Sequence, residues 1–266
     1  MIKKIHQLSK TKKLEDFEIK SQKKLKKYNP DFEYKLWTDI EIKDLFHKHH
    51  KKLYDNWDNL KGIHKSDLGR YLILYIEGGF YCDTDFYVSQ PFTNLDIGDY
   101  VYLSPSTKDF LFMENGLTNY FIYSPPGKKF FLDLIEESLK RISNTKNTNP
   151  SYISYTSGKI LISYLMKKNK YDIKSFSEKK IINKYCPHTN TKNSFGYHDG
   201  NTSRDDKKNP WVNSKVLNLM KLECKSRKVL RIRGDICQIP IVIIFFSLFI
   251  ILIVLMNRNI LIENFL

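Results

Sequence analysis

The chain has 266 residues with 41% hydrophobic and 14% aromatic content, enough for a real core, which excludes disorder of the whole chain. Its formal net charge of +15 has two readings: a phosphate-rich partner, either nucleic acid or a membrane surface, or compositional drift, since Lys, Asn and Ile are abundant throughout. The 4 cysteines, at 82, 186, 224 and 237, form no Cys-x-x-Cys pair, which argues for reduced, buried thiols and against a zinc ribbon or a disulfide scaffold.

Met1 to Lys10 has no apolar h-region, so no cleavable secretion signal is expected. Ile2 to Leu8 reads as a short buried strand. Lys10 to Lys27 reads as a basic amphipathic helix with Leu14, Phe17 and Leu25 inward, ended by Asn29-Pro30. Phe32 to Trp37 alternates in the period of a strand. This strand, helix, strand opening predicts an α/β fold with parallel pairing. Residues 40 to 60 read as helical and polar, and His47, His49 and His50 belong to that Lys-rich surface rather than to a metal site.

In Asp67 to Glu77, Leu68, Tyr71, Leu72 and Tyr75 fall at the spacing of a buried helical stripe, and Gly78-Gly79 stops the helix. Asp67 and Arg70 share a face off that stripe, which suits either a surface salt bridge or a pair aimed at sugar hydroxyls. Phe80 to Cys82 and Tyr100 to Leu103 read as strands. Phe130, Phe131, Leu134, Ile135, Leu139 and Ile142 mark an amphipathic helix after Pro125-Pro126. Residues 143 to 151 read as a loop, Gly158 to Met166 as a helix, and Tyr185 to Pro210 as polar loop.

Ile239 to Met256 carries no charge, and at about 1.5 Å per residue it would span roughly 27 Å as a helix, near the hydrocarbon thickness of a bilayer. We expect a domain at 1–220, a basic juxtamembrane segment at 221–238, a single transmembrane helix at 239–256 and a short tail at 257–266. Lys221, Lys225, Arg227, Lys228, Arg231 and Arg233 precede the apolar stretch and only Arg258 follows it. That asymmetry keeps the N-terminal part cytosolic, with the Golgi or ER lumen as the alternative.

The chemistry concentrates in Asp83-Thr84-Asp85. Alternate residues of an extended segment leave a sheet on one side, so two carboxylates can converge on a hard cation such as Mn²⁺ or Mg²⁺. An isolated Asp-x-Asp arises by chance about once in a chain of this aspartate content. Here it follows a buried helix, a Gly-Gly stop and a strand start, which is where ligands bind in α/β sheets. Walker, Gly-x-Ser-x-Gly and His-Glu-x-x-His motifs are absent, and Cys186-Pro187-His188 lacks a second pair for zinc.

The run Lys65-Ser66-Asp67-Leu68-Gly69-Arg70-Tyr71, then Gly78-Gly79-Phe80-Tyr81-Cys82-Asp83-Thr84-Asp85, resembles the glycosyltransferases with a DXD-containing sugar-binding region. These are the Och1-like and inositol-phosphoceramide mannosyltransferase group, with clostridial toxin glucosyltransferases as distant relatives. Lys4-Ile5-His6-Gln7, Asn29-Pro30 to Asp39, Tyr155-Thr156-Ser157-Gly158, and His198 with Trp211 are similar to further elements of that family, over roughly residues 3 to 211. The late element departs from the pattern: Pro210 stands where the family has Ser before Trp211, and Gly158 is not followed by Pro.

The resemblance implies a GT-A-like fold with a mixed, mainly parallel sheet. It implies Mn²⁺ or Mg²⁺ held by Asp83, Asp85 and His198. Asp67, Arg70, Asp83 and Asp85 would be catalytic, and His6, Trp37, Asp67, Arg70, Asp83 and Thr84 would contact the nucleotide sugar. Its expected reaction is hexose transfer from GDP-mannose to a membrane sphingolipid or a glycan with retention of configuration, with transfer from a UDP-sugar to protein or glycan acceptors as the alternative, and no specific nucleic acid is expected. The rival readings are a non-enzymatic basic protein binding membrane or nucleic acid, and an inactive relative kept as a membrane adaptor.

Overall fold

A computed structural model describes residues 1–105, 116–145, 152–177, 181–183 and 194–198. The chain opens with β1 (Lys4–Ser9), α1 (Asp16–Tyr28), β2 (Glu33–Thr38), α2 (Asp39–His49), α3 (Lys51–Asn56) and α4 (Gly62–Glu77). Next come β3 (Gly79–Cys82), β4 (Phe86–Val88), β5 (Val101–Pro105) and β6 (Leu117–Ser124). They are followed by α5 (Lys129–Asn144), α6 (Tyr152–Thr156), α7 (Lys159–Lys168), β7 (Ile173–Ser175), β8 (Ile181–Asn183) and β9 (Gly196–His198).

Six strands form one sheet in the order β2-β1-β3-β6-β5-β7, and three form a smaller sheet, β4-β9-β8. In the larger sheet β1 pairs parallel with β2 and β3, β5 pairs parallel with β7, and β6 runs antiparallel to both its neighbours. The architecture is therefore mixed α/β with a mainly parallel sheet, as the opening pattern predicts.

Alternation along the strands splits the core in two. On β3, Tyr81 packs into the cluster formed with α2, α4, α5 and α7, whereas Phe80 and Cys82 face a second cluster with Leu25, Phe86, Phe92 and Phe195. Burying a Phe such as Phe80 contributes roughly 2–3 kcal/mol, and its ring lies 4.4 Å from Phe92 and 4.8 Å from Tyr123.

Local chemistry sets the boundaries. α1 starts at Asp16 rather than at Lys10, because Glu15 and Glu18 close a capping box there, and Leu14 and Phe17 are only half-buried while Leu25 is sealed. Thr38 and Glu41 close a second box that switches β2 into α2 without a loop. α4 begins at Gly62, ahead of the expected start at Asp67, and is capped after Glu77 by Gly78, whose φ of 63° suits the left-handed region.

Two expectations change. Every residue from Ser66 to Leu74 is buried, so the face of α4 carrying Asp67 and Arg70 is interior, not surface. The stretch 185–210 is not all loop, since Gly196–His198 forms β9. The expected boundaries at 220, 238 and 256, and the apolar span 239–256, lie outside the described residues, as do Trp211, Cys186 and His188. Among the described residues no helix is long and apolar enough to cross a membrane.

Candidate metal and diphosphate site

Asp83 is the first residue beyond β3. Its backbone N–H donates to Tyr120 O at 2.9 Å, and its carbonyl accepts from Phe86 N–H at 3.0 Å, which closes a tight turn over Thr84. Gln7 Nε2 donates to the Asp83 carbonyl (3.1 Å), and Ser21 Oγ donates to the carbonyl of Phe86 (2.6 Å). Tyr34 donates its hydroxyl to Gln7 Oε1 at 2.7 Å, which fixes the amide's direction. Both ends of the acidic turn are thus bolted to β1 and α1. The bracing role of Gln7 and Ser21 is not legible in the sequence, because their partners lie 76 and 65 positions away.

Turn geometry and β4 then bring a third group in. β4 pairs antiparallel with β9, with Phe86 opposite His198. The imidazole stacks on Tyr120 with centroids 4.7 Å apart and planes 15° from parallel. Its Nε2 lies 3.0 Å from Asp85 Oδ1 and 3.6 Å from Asp83 Oδ2. Ligand atoms of Asp83, Asp85 and His198 all fall within 4.8 Å of one another.

The donor set fits a divalent cation. Asp85 is 4% exposed, and its Oδ2 has no hydrogen-bond partner among the described residues. A buried carboxylate oxygen left in that state is costly unless a cation completes it. The two carboxylates suit Mn²⁺ or Mg²⁺, and the imidazole adds a third donor. Burial raises the Asp83 pKa, against the pull of Arg70 and His198 in the other direction. For His198 burial opposes the imidazolium, but Asp85 and Asp83 outweigh it and raise the pKa above its ordinary value.

Behind the carboxylates lies a polar network. Arg70 NH1 pairs with Asp83 Oδ1 at 2.9 Å and donates to Asn119 O at 2.8 Å, and Arg70 Nε donates to Ser66 O at 3.2 Å. Its guanidinium sits 4.6 Å over the Tyr81 ring, and Tyr81 donates its hydroxyl to Asp83 Oδ1 at 3.0 Å. The carboxylate of Asp67 is engaged by Arg70, Asn119 and Ser157. Burial raises the Asp67 pKa, while Arg70 and Ser157 act to lower it. Asn119 is a site residue that sequence reasoning missed, because nothing near it in β6 marks its role and only the fold brings it against Asp67, 52 positions away.

His6 and Trp37 are placed differently. Trp37 Nε1–H donates to His6 Nδ1 at 3.1 Å, so the His6 proton is on Nε2 and donates to Gly78 O at 3.0 Å. Burial lowers the His6 pKa to about 4. The polar atoms of this pair therefore close on each other and on the end of α4, not on the acidic turn. His47 and His49 are exposed on α2, and His50 caps α3 by accepting from Leu53 N–H.

Residues 15–102 match the family described as glycosyltransferase sugar-binding region containing DXD motif. Inositol phosphoceramide mannosyltransferase 3 of Schizosaccharomyces pombe is 34% identical over 82 residues, covering 30% of this chain and 23% of that protein. The chain thus spans less than a quarter of the length of the relative it matches. Among solved structures, the PaToxG glycosyltransferase superposes with a TM-score of 0.47 at 16% identity, over 62% of this chain and 68% of that one. The apo-form glycosyltransferase GlyE of Streptococcus pneumoniae TIGR4 gives a TM-score of 0.44 at 14% identity, over 86% of this chain and 64% of that one. The resemblance read from the residues therefore holds over the stretch that carries the acidic turn.

Proposed function

We propose that this chain, which carries a DXD-type glycosyltransferase sugar-binding region over residues 15–102, is a GT-A-like glycosyltransferase moving a hexose from a nucleoside diphosphate to a hydroxyl acceptor. The observation that carries this reading is the convergence of Asp83, Asp85 and His198 around the unpartnered Asp85 Oδ2. Mn²⁺ or Mg²⁺ bound there supplies charge neutralisation for the departing diphosphate. Asp83 and Asp85 hold carboxylate oxygens toward that position, and His198 offers its Nε2. Arg70 balances the buried negative charge beside Asp83 and fixes the rotamer of that side chain. Because the turn is braced by Gln7 and Ser21, the carboxylates need no reorganisation when charge develops.

The donor we propose is GDP-mannose, supported by the mannosyltransferase relative, with UDP-sugars second. The acceptor would be a membrane sphingolipid or another glycan, with retention of configuration as the resemblance implies. The basic segment 221–238 and the uncharged stretch 239–256 support a catalytic part at 1–220, tethered by a single C-terminal span and a short tail at 257–266.

The test is a donor-hydrolysis screen across GDP- and UDP-sugars with Mn²⁺, run beside Asp85→Ala. One donor should turn over, and the substitution should remove more than about hundredfold of that rate. Absence of turnover with every donor, or turnover indifferent to the substitution, would falsify the assignment.

A further inference from the structure

α1 turns Glu18, Ser21 and Leu25 inward. On its outer side Lys20, Lys23, Lys24 and Lys27 fall at i, i+3, i+4 and i+7, which makes them one stripe of the helix. Lys20, Lys23 and Lys27 are exposed, and Lys24 is half-buried. The acidic residues of α1, Asp16 and Glu18, stand in its first turn, and none follows from Ile19 to Pro30. Among the described residues no carboxylate pairs with any of the four lysines. Elsewhere on the surface Lys43 is held by Asp58, Lys51 by Asp55, Lys128 by Asp99 and Lys129 by Asp133.

Like charges three and four apart on a helix repel, so the stripe works against α1 in the free protein. The helix dipole favours Lys27 in the last turn, but it does not favour Lys20 or Lys23. An external anionic surface relieves the repulsion of all four at once, because long side chains reach it without any movement of the helix.

We propose that the lysine stripe of α1 is a docking face for an anionic lipid bilayer. A bilayer fits better than another polyanion because the same chain carries six basic residues, from Lys221 to Arg233, just ahead of the uncharged stretch 239–256. A domain tethered by that stretch meets the headgroups at high effective concentration, so a few lysines suffice to lay α1 on them. This docking rests on the membrane attachment proposed above, and it is independent of the donor sugar and of the acidic turn.

The full chain is reconstituted into lipid nanodiscs, which leave both bilayer faces open. One set is phosphatidylcholine alone, and the other also contains phosphatidylserine. Lysines are labelled briefly with an amine-reactive ester at physiological salt and read by mass spectrometry, with Lys51 and Lys129 as internal references. With phosphatidylserine, labelling of Lys20, Lys23, Lys24 and Lys27 should fall by about fivefold against the references, and raising the salt should restore it. Lys20→Gln combined with Lys27→Gln, both at exposed positions, should restore labelling at Lys23 and Lys24. Equal labelling in the two kinds of disc overturns the proposal, as does protection that the double variant keeps. Loss of the protection on adding excess single-stranded RNA assigns the stripe to nucleic acid and overturns it too. A chain retained only in the phosphatidylserine discs, with the stripe protected, refutes the tether and leaves the docking face standing. A chain retained in neither refutes both.

Discussion

His64 offers a measurement of how firmly α4 holds the segment that bears Ser157. It lies one turn before Asp67, 1% exposed, with its Nε2 3.0 Å from Thr156 Oγ1. Thr156 donates its own proton to Tyr152 O at 2.7 Å, so His64 must be the donor in their bond and Nε2 carries the hydrogen. Burial first, and the charge of Lys61 second, lower the His64 pKa from 6.5 to about 4. The folded protein thus keeps this ring neutral while the unfolded chain protonates it near its ordinary value. Between those two values the unfolded state binds more protons, so stability is present above 6.5 and is lost as the pH falls toward 4. At pH 5 the loss from this one group is about 2 kcal/mol, reaching about 3 kcal/mol below pH 4. His6, with a similar depression, adds a loss in the same direction, and His198, with a raised pKa, acts in the opposite direction.

His64→Gln isolates the term, because the amide can still donate to Thr156 and does not titrate. Urea unfolding followed by tryptophan fluorescence at pH 7 and pH 5 gives a stability difference for each protein. That difference should be smaller in the variant by about 2 kcal/mol, with the other titrating groups cancelling. Equal pH dependence in the two proteins would refute the assignment of a buried, neutral His64.

Two substitutions of glycine test the framework around the acidic turn. A Cβ at Gly196 would lie 2.5 Å from Phe86 Cζ and 2.9 Å from Tyr87 O. Gly196→Ala should therefore push β9 off β4 and carry His198 away from Asp85, lowering Mn²⁺ affinity by about tenfold or more in a direct titration. Gly79 has a φ of 87°, and a Cβ there would meet Lys4 O at 2.7 Å. Gly79→Ala should cost about 2–3 kcal/mol in urea unfolding, since both the backbone region and the contact with β1 are unfavourable.

Much of the fold is legible from short-range signals. The alternation in Phe32 to Trp37, the stripe of α4 and its Gly-Gly stop place β2, α4 and β3 correctly, and with them the acidic turn. What escapes is set by distant contacts. β6 is sandwiched between β3 and β5 and buried on both faces, so it carries no period of two to distinguish it from a buried helix. β4 and β9 are three residues each, too short for any pattern. The stripe on α4 implies a polar opposite face, yet that face is covered by β6 and by the α6–α7 connection, and only pairing of Asp67 and Arg70 with Asn119, Ser157 and Asp83 makes their burial tolerable. Gln7 ends the Lys4-Ile5-His6-Gln7 stretch that carries part of the family resemblance, but its role as a brace is a property of the fold alone.

The pairing of β4 with β9 ties ion capture to the order in which the molecule assembles. The two carboxylates come together once β3 and its turn are in place, braced by Gln7 and Ser21 from the start of the chain and by Tyr120 from β6. The imidazole must travel from far along the chain, and closing so large a loop is entropically unfavourable until the second sheet has zipped up. On the proposed function, a half-assembled molecule would hold a cation poorly, and tight retention of one would be a signature that the last strand has docked.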